Sequence, residues 1–182
     1  MSALPDIKVS QAARQQSLYS ATEQQMGWRH TELAAFGPDV VPLSDTDAFA
    51  AYRRANECSS KTRYGLDETV FKQIDRLDVE EAGPEAKRWL AERLSGDVLL
   101  VYSGDAVFRV PASLFLDGWQ DMFCPSRDDV MILPVEGGWA LFYRHENEFE
   151  FAHGGPAEPK LHLTAAASRE ISVQSLTSRR SR

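Results

Sequence analysis

The sequence predicts an α+β fold: an antiparallel sheet of about five strands, three helices ahead of it and one helix inserted within it. Three observations carry this expectation. Apolar residues at helical spacing dominate positions 44–96, the run Asp97–Ser103 has no polar alternation, and positions 137–151 read as two aromatic-rich strands around a short polar turn.

The first helix is announced by Ser44-Asp45-Thr46-Asp47, a cap, after which Ala48, Phe49, Ala51, Tyr52 and Ala55 recur at helical spacing to about Glu57. A second helix is expected from Asp67, with Leu66 and Phe71 placed as a hydrophobic staple and Val70, Phe71, Ile74 and Leu77 as its apolar stripe. The third opens at Gly83-Pro84, keeps Ala86, Trp89, Leu90 and Leu94 on one face, and stops at Gly96.

Asp97-Val98-Leu99-Leu100-Val101-Tyr102-Ser103 then reads as a central strand covered on both faces. Ser103-Gly104-Asp105 supplies a turn into the neighbouring strand Ala106–Val110. Pro111 opens the inserted helix, which carries Phe115, Trp119 and Met122 on one side and ends at Cys124-Pro125. Asp129–Pro134 is a third strand, and Trp139–His145 and Glu148–Phe151 add two more across Glu146-Asn147. In the last of these Phe149 and Phe151 share one face, which leaves Glu148 and Glu150 outward on a half-buried strand near the sheet edge. The helices are expected on one face of the sheet.

With 182 residues and 43% apolar content, the chain has material for one core. The expected organisation is an N-terminal arm over 1–26, a single α+β domain over 27–153, and a basic tail over 154–182. That tail holds five Lys or Arg against two Glu, a net of +3, so the remainder carries −10 of the total −7. Such an acidic chain is a poor match for nucleic acid or anionic membrane, both of which reward Lys and Arg. Neither a leader-like start nor an apolar run of membrane-spanning length is present, and the expected location is the cytoplasm.

Cys58 and Cys124 are far apart and outside any C-x-x-C pair, which supports neither a metal cluster nor a disulfide framework. No G-x-S-x-G elbow, phosphate-binding G-x-x-x-x-G-K-[ST] loop or G-x-G-x-x-G fingerprint occurs in the sequence. No cofactor or metal is expected. The densest titratable group is His145-Glu146 with Glu148 and Glu150 beyond it. Together with Asp105 at the end of the central strand, His145 and Glu146 form the candidate acid–base set of a small enzyme. Set against that chemistry, a charged hairpin tip is also an ordinary way to protect a sheet edge, and Gly-Asp is an ordinary turn. The second candidate is the acidic run Asp75, Asp78, Glu80 and Glu81, a face suited to the cationic surface of a protein partner.

The block Gly137–Phe151, preceded by a Trp119-bearing helix, resembles the closing region of small bacterial α+β proteins, among them immunity proteins that neutralise secreted toxins. That resemblance implies a non-catalytic binding protein with a toxin as its partner.

Overall fold

The computed structural model describes residues 29–136 and 138–155. In chain order these form a helix over 29–34 (α1), β1 (Val41–Pro42), α2 (Asp45–Cys58), β2 (Asp75–Asp78), α3 (Val79–Ala82), α4 (Glu85–Ala91), β3 (Asp97–Val101), β4 (Val107–Pro111), α5 (Ala112–Met122), β5 (Val130–Pro134), β6 (Trp139–Arg144) and β7 (Glu148–His153). The strands make one sheet in the order β1-β4-β3-β5-β6-β7-β2, with every neighbouring pair antiparallel. The architecture is therefore α+β. The expected arm over 1–26 and nearly all of the tail over 154–182 lie outside the described residues.

Local chemistry explains the elements that match expectation. Ser44 caps α2, its Oγ accepting from the Asp47 N–H at 3.3 Å, and Asp45 and Asp47 sit where the helix dipole favours negative charge. Ala48, Ala51, Ala55 and Cys58 line its inner face, small side chains that bring the helix close to the sheet. In α5 the residues Phe115, Trp119 and Met122 are buried along one stripe, and Gly118 leaves room for Phe36, whose ring would lie 2.9 Å from a Cβ at that position. In β3 every residue from Val98 to Val101 is buried. The pleat sends Val98 and Leu100 into one core and Leu99 and Val101 into the other.

Those two cores correct the expectation that helices cover one face. The larger core holds Leu33 of α1, Val79 of α3, Leu90 of α4, and Phe115 and Trp119 of α5 against Phe108, Tyr143, Phe149 and Phe151. Rings close it, with Trp119–Phe149 at 5.2 Å and Phe123–Tyr143 at 4.5 Å between centroids. On the opposite face α2 packs beside the segment 59–74, which contributes Leu66 and Phe71 over Met131, Leu133 and Phe142. A sheet whose central strands are apolar on both sides needs both covers.

Among the described residues the sheet has seven strands rather than about five, and there are five helices rather than three N-terminal helices and one inserted helix. Most of the difference lies at the expected second helix. The Asp67 carboxylate accepts from the Thr69 N–H at 2.8 Å and from its hydroxyl at 2.7 Å, a local turn that competes with helix, and these bonds hold Asp67 below the ordinary carboxylate range. The chain then extends as β2, pairing with β7 in the register Asp75↔Phe151 to Asp78↔Glu148. With β2 on the outside, β7 is an internal strand, and Glu150 is fully buried instead of facing solvent.

Candidate functional site

One end of the sheet gathers the titratable groups. The β3–β4 turn, the start of β5 and the β6–β7 turn all fall there, because Val101 pairs with Met131 and Val130 pairs with Tyr143. The β6–β7 turn spans 145–147. Asn147 occupies the left-handed region at φ 65°, and its N–H donates to the Arg144 carbonyl at 2.9 Å, closing a three-residue hairpin loop.

This loop sets His145 against Asp129, the residue before β5. Asp129 Oδ1 accepts the His145 backbone N–H at 3.0 Å, and its two oxygens lie 2.9 and 3.1 Å from His145 Nδ1. A carboxylate on Nδ1 fixes the ring with that nitrogen as donor and leaves Nε2 for other partners. The hydrogen bond to Asp129, reinforced by its charge, raises His145 above its ordinary value of 6.5. Glu146 Oε1 lies 3.7 Å from Nε2, and the exposed Tyr64 ring meets the imidazole edge-on at 5.7 Å. Ser126, also left-handed at φ 66°, donates its backbone N–H to the His145 carbonyl at 2.8 Å.

The structure thus brings His145 and Glu146 together and adds Asp129. Asp105 stands elsewhere: it belongs to the β3–β4 turn, accepts from the Ser103 hydroxyl at 2.6 Å, and is separated from the His145 turn by about three strand spacings, roughly 14 Å. Asp129 was legible in principle. Once β5 and β6 are expected as antiparallel neighbours, the residue that precedes one falls opposite the residue that follows the other.

Beside this pair lies a charge network on the segment 59–74. The side chain of Glu150 has no solvent exposure. Its oxygens accept from the Leu66 N–H at 2.7 Å, Arg63 Nη1 at 2.8 Å and Arg76 Nε at 3.0 Å. Burial pushes the Glu150 carboxyl upward, and the bonds from Arg63, Leu66 and Arg76 outweigh it, so the group stays below its ordinary value of 4.5. Glu68 joins both arginines on the outside, at 3.0 Å from Arg76 and 3.4 Å from Arg63. Along the same strands Arg144 lies 2.7 Å from Glu146 and 3.5 Å from Glu148. Gly65 permits the approach: at φ 142°, a Cβ there would fall on the Arg63 guanidinium and the Glu150 carboxylate.

The four acidic candidates divide into two pairs. Asp75 lies 3.3 Å from Arg93, and Asp78 caps α3 by accepting from the Glu80 and Glu81 N–H groups at 2.8 and 3.0 Å. Glu80 and Glu81 themselves are exposed and have no ion pair among the described residues. The Val79 N–H donates to the Asn147 carbonyl at 3.0 Å, which places this short helix against the same hairpin turn as Glu146. Among the described residues no group of three His, Cys, Asp or Glu is arranged to hold a metal ion, and no helix is long and apolar enough to cross a membrane.

No family model matches the chain, and neither a curated protein nor a solved structure matches it significantly.

Proposed function

We propose that this chain is a non-catalytic cytoplasmic binding module that covers a basic surface of a protein partner, acting as a bacterial immunity protein does on its toxin. The observation that carries the reading is the division of the acidic run: Asp75 and Asp78 serve the fold, while Glu80 and Glu81 stand exposed beside the hairpin turn, with no ion pair among the described residues. Exposed carboxylates attract an approaching cation and speed the encounter. The −7 net charge of the chain acts in the same direction. The test is affinity capture from native lysate at low salt, with wild-type protein beside the double variant Glu80→Lys, Glu81→Lys. The expected result is a protein retained by wild type, released as salt rises and absent with the variant. Retention of nothing, or of the same protein by both baits, defeats the proposal.

A second reading has one specific observation behind it, the orientation of His145 by Asp129 with Nε2 directed away from that carboxylate. This is the arrangement a general base requires, and it makes Asp129 the positioning residue in place of Asp105. A panel of ester, phosphoester and amide substrates decides it. Turnover by wild type that His145→Asn abolishes supports an enzyme, and equal inactivity of both proteins removes it.

A further inference from the structure

The outer face of α2 carries the largest exposed apolar groups on that helix: Phe49 is 59% exposed and Tyr52 36%, although Tyr52 rests on the bare backbone of Gly104. Aromatic residues exposed next to arginine are typical of binding surfaces. Asp45 and Arg53 stand one turn to either side of Phe49, about 6 Å along the axis on the same four-residue ridge. Both are exposed, and neither makes an ion pair among the described residues.

That order, acid then aromatic then base, is self-complementary when reversed. From Asp45, Phe49 and Arg53 the geometry points to a second copy of this chain as the occupant: two α2 helices crossing antiparallel at Phe49, each Asp45 facing the Arg53 of the other protomer. A two-fold axis requires this pattern, because every contact is made twice with the roles exchanged. The Tyr52 rings flank the crossing. A single helix stripe offers less than the roughly 800 Å² per partner of a standard interface, so the dimer is a weak one with Kd of about 10–500 μM. The inference is independent of the reading built on Glu80 and Glu81, since α2 lies on the opposite face of the sheet from α3.

Sedimentation equilibrium of the full chain, over concentrations spanning that Kd and at physiological ionic strength, tests it; there a Debye length of about 8 Å damps the repulsion between two acidic chains. Wild type is expected to shift from monomer to dimer with concentration. Phe49→Asp and Arg53→Asp should each weaken association at least ten-fold, and combining Arg53→Asp with Asp45→Arg should restore it, because the ion pairs re-form with reversed polarity. Circular dichroism confirms that each variant is folded. Wild type that stays monomeric throughout overturns the proposal and assigns the stripe to another occupant, a terminal segment of the chain or a foreign protein. A dimer that tolerates Phe49→Asp, or a double reversal that restores nothing, overturns it equally.

Discussion

Replacing Glu150 with Gln isolates the charge that fastens the segment 59–74 to the sheet. The substitution keeps the volume but turns one acceptor oxygen into a donor group facing donors from Leu66, Arg63 and Arg76. Breaking a fully buried ion pair by removing one partner costs about 3–5 kcal/mol, and a hydrogen bond to a charged group contributes about 1.5–3. Arg63 and Arg76 are 32% and 46% exposed, so both rehydrate when the carboxylate is lost, and the buried Leu66 N–H carries most of the penalty. The expected loss is therefore near the low end, about 3 kcal/mol, equivalent to a fall in Tm of about 6–12 °C for a chain of this size. Urea titration and thermal melting by circular dichroism measure it. Because the folded carboxyl is held below its unfolded value, its contribution is present above that value of 4.5 and is lost as pH falls through the folded one. Wild type should then lose stability with acidification more steeply than Glu150→Gln. A variant within 0.5 kcal/mol of wild type at neutral pH, or parallel acid curves, would refute the view that Glu150 fastens this segment.

Two further outcomes are expected. Asp129→Asn should lower the His145 pKa toward its ordinary 6.5, which ¹H–¹⁵N titration of the imidazole reads directly; for wild type the linked stability is full below that value and fades as pH rises through the elevated folded one. Gly65→Ala adds a methyl group where Arg63 and Glu150 meet and at a φ that side chains disfavour, so it should cost at least about 2 kcal/mol in urea titration, whereas Gly104→Ala, which meets the Tyr52 ring at 3.3 Å, should cost less.

What the sequence made legible was local. The Ser44 cap and alanine face of α2, the unbroken apolar run of β3, the Phe115–Trp119–Met122 stripe of α5 and the polar turn before Glu148 each hold their signal within a few residues. What escaped depends on distant partners. Val70, Phe71, Ile74 and Leu77 fit a helical stripe, yet Phe71 and Leu77 serve opposite faces of the sheet once 75–78 is extended against β7. β1 is two residues with a proline, too short to leave a pattern. Glu150 alternates with Phe149 and Phe151 as a surface residue does, and its burial is made tolerable by Arg63, Leu66 and Arg76, 87, 84 and 74 positions away. At the candidate site His145 and Glu146 were visible as neighbours in sequence, whereas Asp129 enters through the pairing of β5 with β6.

The outermost strand β2 has consequences for the order of assembly. Among the described residues its one partner in the sheet is β7, so in a nascent chain that has emerged through position 78 the strand waits for that partner until residues 148–153 leave the ribosome. During that interval Leu66 and Phe71 wait for a floor, and closing the long intervening loop is a slow step that local contacts do not shorten. Completion of the β6–β7 hairpin is thus the event that gives β2, and the segment leading into it, a place in the sheet.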